Sequence, residues 1–248
     1  MSWRLFFKDR KIFTGDLTAY ELIGEGTIRR CYRVPDQPHC LKFYASCCGH
    51  DPSHPRSLKT RLRLRLTKHS FWANINMQEW RYYERLKKRL PVALMSAFPE
   101  HMEPLYSPRY GWGLCETLLL NDDGSYARLA AEEIARLAGS PEAEKVYRAV
   151  HDLFDQAVQH AVALYDPRNT LVQWVTPSQC RIRVVDFEPK AKAAVPGLTY
   201  CKAFVRYRVH GRSRQYLKRL QEILVMRSAT PWTSSPPAGP SAPLPTDR

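Results

Sequence analysis

Three short strand patterns near the start of the chain constrain its fold more than any other feature. They occupy residues 20–23, 30–34 and 39–44. The Pro-Asp-Gln-Pro sequence at 35–38 separates the second pattern from the third. Because these residues form tight turns, the two flanking strands are predicted to pair antiparallel. The pattern therefore predicts a small antiparallel sheet.

Two glycines, Gly24 and Gly26, end the first strand pattern. Neither has a side chain, so backbone amides there have room to approach phosphate oxygens. Arg29 occupies the place where a third glycine would complete the usual phosphate-binding loop. A hairpin turn that contains glycine is the alternative interpretation of this segment.

The third strand contains Lys42, whose side chain is predicted to point away from those of Leu41 and Phe43. A lysine in this position can reach nucleotide phosphates if a carboxylate on a following helix holds it. Glu79 is the first candidate for that carboxylate and Glu84 the second. For both glutamates, an exposed charge on a helix is the alternative.

Apolar positions at helical spacing predict a helix over 76–90, which Pro91 would stop. The second half of the chain alternates between strand and helix patterns. Strands are predicted at 110–120, 170–174 and 181–185, and helices at 142–164 and 213–226.

Asn169 and Asp186 are the predicted magnesium ligands, because amide and carboxylate oxygens suit a hard cation bound to nucleotide phosphates. An aspartate that orients an acceptor hydroxyl is expected five residues before such an asparagine, and the chain has Leu164 there. Asp166 is the candidate for a displaced catalytic base, and a carboxylate that caps its own loop is the alternative.

Several of these motifs together resemble the PhoP-regulatory-network proteins of the YrbL type, a family within the protein-kinase-like superfamily. The resemblance covers about residues 20–220 and rests on segments 23–32, 35–42, 79–86, 111–114, 122–124 and 167–171. It implies that ATP and Mg²⁺ are cofactors, that Gly24, Gly26, Lys42 and Glu79 bind the nucleotide, and that Asn169 and Asp186 bind the metal. The missing aspartate at Leu164 looks like a trait of that family.

The predicted fold is α+β, with a two-lobed protein-kinase-like architecture. An N-terminal extension (1–19) precedes an antiparallel N-lobe and linker strand (20–120), which contains a basic insertion at 45–73. A reduced helical C-lobe (121–227) and a disordered proline-rich tail (228–248) follow. The short C-lobe contains no Ala-Pro-Glu motif and leaves little platform for a peptide substrate.

The net charge of +14 is compatible with nucleic acid, an anionic membrane surface or a phosphorylated ligand. Alternation in the insertion would place Arg61, Arg63 and Arg65 on one face, while a solvated basic loop is the alternative. No apolar stretch has the length of a membrane span. The seven cysteines do not resemble a disulfide framework, and we expect a cytoplasmic protein.

Three functions follow from these patterns. The first is a bacterial kinase-like regulatory protein that binds nucleotide, has weak or absent phosphotransfer and acts with a protein partner in a regulatory network. The second is a small-molecule or envelope-glycan kinase that uses ATP and Mg²⁺, with Asp166 or the substrate replacing the missing base. The third is a basic adaptor for anionic membrane or nucleic acid.

Overall fold

Six strands from the first half of the chain form one mixed sheet with the order β1-β5-β6-β4-β3-β2. The structure is a computed structural model that describes residues 11–26, 28–45, 62, 66–187 and 201–228. The six strands are β1 (Lys11–Ile12), β2 (Leu22–Glu25), β3 (Arg29–Arg33), β4 (His39–Tyr44), β5 (Met102–Ser107) and β6 (Gly111–Thr117).

Five of these strands pair antiparallel, and the two-residue strand β1 pairs parallel with β5. The predicted strands at the start of the chain are confirmed as β2, β3 and β4, although the predicted N-terminal extension also contributes β1 to the sheet. Lys42 lies opposite Cys31 on β3 and opposite Leu114 on β6. This register places Lys42 on a strand that has neighbours on both sides.

Helix α1 (Ile75–Lys87) follows β4 in the chain and packs against β5 and β6. Asn74 caps it, because its side-chain oxygen accepts the backbone N–H groups of Asn76 and Met77. The helix that was predicted over 76–90 is therefore confirmed, with its end slightly earlier. A short helix, α2 (Val92–Met95), follows it.

In the second half of the chain, the residues that the structure describes form a smaller antiparallel sheet and three helices. The strands β7 (Arg128–Leu129), β8 (Thr170–Thr176) and β9 (Gln179–Val184) have the order β7-β8-β9. The helices are α3 (Ala130–Arg136), α4 (Pro141–Gln159) and α5 (Lys202–Ser228), and α5 packs along α4 and α3. The described residues thus form an α+β structure with two sheets.

Two predicted helix boundaries are wrong. Helix α4 ends at Gln159, not at 164, because Ala161 adopts a left-handed conformation with φ of 49° and the Val162 N–H donates to the Ala157 carbonyl oxygen. This hydrogen bond is the kind that closes helix C-termini, so Leu164 lies outside the helix. Helix α5 begins at Lys202, eleven residues before the predicted start at Ser213.

The larger hydrophobic core extends from α1 across both halves of the chain to α4, α5 and the second sheet. A smaller cluster covers the opposite face of the six-stranded sheet and contains Leu41 and Phe43. The predicted direction of Lys42, away from these two side chains, agrees with this arrangement. Within the described ranges, no helix is both long and apolar enough to cross a membrane.

Two predicted features fall outside the described residues. Arg61, Arg63 and Arg65 of the basic insertion are among them, as is the proline-rich tail from residue 229 onward.

Candidate functional site

Lys42 joins the two halves of the structure through carboxylates. Its Nζ lies 2.6 Å from Oε1 of Glu116 on β6 and 2.9 Å from Oδ1 of Asp186, which follows β9. Lys42 and Glu116 are buried, whereas the Asp186 side chain is 36% exposed. Asp186 is therefore the member of this group that a ligand from solvent can reach.

Arg29, the first residue of β3, forms a second set of ion pairs beside the first. Its Nη1 group pairs with Oε2 of Glu79 on α1, and its Nη2 lies 2.9 Å from the same Asp186 oxygen that binds Lys42. Asn76 supports this pairing, since its Oδ1 accepts a hydrogen bond of 3.3 Å from Arg29 and its Nδ2 donates to the Trp112 and Lys42 carbonyl oxygens.

These contacts change the predicted partner of Lys42. Glu79 was expected to hold Lys42 directly, but Arg29 binds Glu79 and Lys42 binds Glu116 and Asp186. Glu79 is fully buried and faces the site, as the prediction requires, whereas Glu84 is only half-buried on α1. The side chains of Lys42 and Glu79 thus belong to one charge cluster without being each other's ion-pair partners. We name Arg29, Lys42, Glu79, Glu116 and Asp186 the charge cluster.

Opposing effects set the protonation of the charge cluster. Burial acts to lower the pKa of Lys42, but attraction to Asp186, Glu116 and Glu79 raises it well above its ordinary value. Burial raises the pKa of Glu116, and attraction to Lys42 offsets this in part. The carboxylates of Glu79, Glu116 and Asp186 therefore share the two cations Arg29 and Lys42. Burial disfavours the negative charge on Glu116.

Two buried carboxylate oxygens of the charge cluster, Oε1 of Glu79 and Oε2 of Glu116, have no hydrogen-bond partner in the described part of the chain. Buried carboxylate oxygens without a partner are energetically unfavourable. The charge cluster therefore has capacity for a further donor or cation.

Asn169 and Asp186 lie together, as two ligands of one metal ion must. The Asn169 Nδ2 donates to the backbone carbonyl oxygen of Asp186 over 3.3 Å. The backbone carbonyl oxygen of Asn169 accepts the Val185 N–H over 3.0 Å. Asp186 has a left-handed backbone with φ of 54°, a conformation uncommon outside glycine and Asn or Asp. The buried ring of Phe187, packed on Phe98 at 4.8 Å, fixes the chain directly after it.

The donor set at this position fits Mg²⁺ in its chemistry. The Asp186 carboxylate and the Asn169 amide supply hard oxygen atoms, and Mg²⁺ usually retains several waters beside one or two protein ligands. Across the described ranges, no three His, Cys, Asp or Glu side chains are grouped as metal ligands. Phosphate oxygens and water would be suitable further ligands for a metal held by Asn169 and Asp186.

The glycine segment forms the β2–β3 hairpin. The Gly26 N–H donates to the Arg29 carbonyl oxygen over 2.8 Å, as in a hairpin turn. A Cβ at Gly24 would lie 3.8 Å from the Cβ of Cys31, and a Cβ at Gly26 would lie 3.5 Å from the Arg29 oxygen. Neighbouring atoms therefore do not require glycine at either position, and Thr27 at the tip lies outside the described residues.

The segment with the candidate base contains no carboxylate free to act. Leu164 is buried in the large core, and its backbone N–H donates to the Val162 carbonyl oxygen. Asp166 caps a short 3-10 turn, and both of its carboxylate oxygens lie 2.8 Å from the guanidinium of Arg168. These contacts fit the alternative in which Asp166 is a carboxylate that caps its own loop.

Sequence reasoning missed Arg29 and Glu116 as members of the site. Arg29 carried a signal, because it replaces the third glycine of the loop and so lies where phosphates are expected. Glu116 carried a weaker one, as it alternates with Leu114 and Trp112 on one face of an otherwise apolar strand. Neither signal identifies the ion-pair partner, which depends on residues far apart in the chain.

Neither the models of known protein families nor the curated proteins include a match to this chain.

Proposed function

We propose that the chain is a kinase-like protein of the YrbL type, which binds ATP with Mg²⁺ and has weak or absent phosphotransfer activity. The order of the antiparallel strands supports this proposal. Strands β2, β3 and β4 follow one another in the sheet, β6 and β5 continue it, and α1 lies between β4 and β5 in the chain. Protein-kinase N-lobes combine five antiparallel strands and one helix in this way.

The observation that carries the proposal is the ion pair between Lys42 and Asp186. Lys42 lies on β4 of the larger sheet and Asp186 lies two residues after β9 of the smaller one, and their side chains meet with an Nζ–Oδ1 distance of 2.9 Å. In phosphate-transferring folds, the equivalent lysine contacts nucleotide phosphates and the aspartate holds the metal. The proximity of Asn169 to Asp186 completes the same set.

The proposed roles follow from exposure and charge. Lys42 contacts the phosphates, while Asp186 and Asn169 hold the metal at the solvent side of the charge cluster. When bound, Mg²⁺ would neutralise negative charge on the phosphates. Glu79 on α1 fixes Arg29, and Glu116 fixes Lys42, so both cations have a defined place.

Weak or absent phosphotransfer follows from the segment around Leu164. A leucine cannot orient or deprotonate an acceptor hydroxyl, and the nearby Asp166 is engaged by Arg168. We therefore propose that nucleotide binding serves a regulatory role and that a protein partner reads the bound state.

A thermal-shift titration with ATP and Mg²⁺, compared with Mg²⁺ alone, tests the proposal. A ligand that binds only the folded state raises the melting temperature by mass action. We expect a concentration-dependent rise in the wild type, no rise in Lys42→Ala, and an unchanged rise in the matched control Lys218→Ala on the exposed side of α5. No rise in the wild type would overturn the proposal.

The exposed side of α5 favours the adaptor as the second candidate. Helix α5 presents Lys202, Arg206, Arg214, Lys218 and Arg219 to solvent, while Val205, Val209 and Leu220 are buried on its other side. Such a surface attracts polyanions. Binding to anionic vesicles or DNA that weakens steeply with salt, and weakens further when these five cations are replaced, would support this candidate.

A further inference from the structure

The guanidinium of Arg29 lies where the proposed site would receive phosphates. Arg29 is the first residue of β3, after the β2–β3 turn, and its side chain reaches Asp186. The Nζ of Lys42, which is proposed to contact the phosphates, binds the same Asp186 oxygen as Arg29. The two cations therefore flank a single carboxylate oxygen at the exposed end of the charge cluster.

Burial and anchoring set Arg29 apart from other arginines of the sheet. Its side chain is 9% exposed, and it is held by the fully buried Glu79 and by Asn76. The next residue, Arg30, instead pairs with Glu25 within the hairpin, with 2.8 Å between Nε and Oε1. An arginine fixed on one side by a buried carboxylate presents a planar, bidentate donor with little loss of rotamer freedom on binding an anion.

The sharing of Asp186 provides a reason for Arg29 to change partner. A metal ion at Asp186 would compete with Arg29 and Lys42 for the same oxygen, since each carries positive charge. Phosphate oxygens at that position would offer both cations a new anionic partner. The ion pair of Arg29 with Glu79 need not break for this exchange.

We propose that Arg29 is a second phosphate-binding residue of the site, anchored by Glu79, which exchanges Asp186 for a nucleotide phosphate when the magnesium complex of ATP binds. The inference rests on the proposed nucleotide-binding function. It assigns the third-glycine position of the loop a direct role in binding, and it predicts that the site selects ligands that carry several phosphates.

Calorimetric titration of ATP in the presence of Mg²⁺ tests this role. Arg29→Met leaves Glu79 unpaired and can impair folding, so the decisive protein is Arg29→Met combined with Glu79→Gln, compared with Glu79→Gln alone. We expect at least a tenfold weaker affinity for ATP, because the variant loses a charge-assisted hydrogen bond to a phosphate. Arg30→Met is the matched control and should retain the wild-type affinity.

Adenosine separates phosphate binding from a positioning role. Its affinity, measured by ligand-observed NMR, should be the same with and without Arg29, because adenosine has no phosphate. An equal loss of adenosine and ATP affinity, or no loss of either, overturns the inference while the proposed function stands. A wild-type protein that binds no ATP overturns both.

Discussion

The ammonium group of Lys42 lies 2.9 Å from a carboxylate oxygen of Asp186, although 144 residues separate them in the chain. This contact connects the six-stranded sheet, through β4, to the segment that leaves β9. It also places the most exposed carboxylate of the charge cluster beside its most buried cation. The proposed nucleotide site is built around this pair.

Gly113→Ala should destabilise the protein, because β6 and β4 approach closely at this position. A Cβ there would lie 2.5 Å from a ring carbon of Phe43 and 2.8 Å from the Lys42 carbonyl oxygen. We expect a loss of about 1–3 kcal/mol in the free energy of unfolding, measured with urea. An unchanged free energy would contradict the close packing of these strands.

Gly24→Ala, in contrast, should leave stability within about 0.5 kcal/mol, because the new Cβ meets Cys31 at an ordinary van der Waals distance of 3.8 Å. The proposed function predicts that the same variant binds ATP more weakly, since the methyl group hinders approach of phosphates to the backbone. Retained stability with wild-type ATP affinity would show that the glycine has no part in binding.

Introducing an aspartate at Leu164 should fail to create a kinase. Leu164 is buried in the large core, so Leu164→Asp places a carboxylate there without a designed partner. We expect a loss of about 3 kcal/mol or more in unfolding free energy and no gain in ATP turnover. Leu164→Met, which conserves volume, should lose less than about 1.5 kcal/mol. A stable Leu164→Asp protein that consumes ATP would contradict this account.

The contribution of Lys42 to stability should disappear only at strongly alkaline pH. Its pKa is raised above the ordinary value of 10.5 in the folded protein, so its contribution is complete below that pH and is lost as pH rises through the folded-state pKa. The difference in unfolding free energy between wild type and Lys42→Met should therefore stay constant from about pH 7 to 10 and shrink above pH 10.5.

Lys218→Met provides the matched control for this pH series, because Lys218 is exposed on α5. The difference in unfolding free energy between Lys218→Met and the wild type should be small across the whole pH series. If the difference in unfolding free energy between wild type and Lys42→Met already shrinks between pH 7 and 9, the ion pairs of Lys42 with Glu116 and Asp186 are not formed in solution.

The described cysteines should differ sharply in reactivity. Burial raises the pKa of Cys115 to about 11, and hydrogen bonding to Cys31 together with burial raises the pKa of Cys40. Because the thiolate is the reactive form, both should resist iodoacetamide at pH 8 until the protein unfolds. Of the cysteines that the structure describes, Cys201 is the exposed one and should be modified before the others. Peptide mapping by mass spectrometry measures the order, and early modification of Cys115 would contradict its raised pKa.

The sequence predicted local strands well where alternation and turns agree. Strand β4 has the predicted bounds, because the Pro-Asp-Gln-Pro turn fixes its start and its alternating faces fix the direction of Lys42. Strand β5 was missed, since Pro104 weakens its strand pattern. The neighbouring strand β1 is short and pairs only with Leu105 and Tyr106 of β5. Pro104 lies just before this paired stretch, so β1 does not need a backbone N–H from it.

The members of the site were easier to predict than their pairing. Motif spacing identified Lys42, Glu79, Asn169 and Asp186, which the structure brings to one region. The choice of Glu116 and Asp186 as partners of Lys42 depends on the register of β4 with β6 and on the path of the chain after β9. Such distant relationships leave no periodic pattern in one sequence.

Calorimetric titration of ATP with Mg²⁺ into the wild type, Lys42→Ala and Asp186→Asn tests whether Lys42 and Asp186 form a nucleotide site. We expect one binding site per chain in the wild type, no detectable binding in Lys42→Ala, and binding in Asp186→Asn that no longer depends on Mg²⁺. Absence of binding in the wild type, or equal binding in all three proteins, would contradict the claim that Lys42 and Asp186 form a nucleotide site.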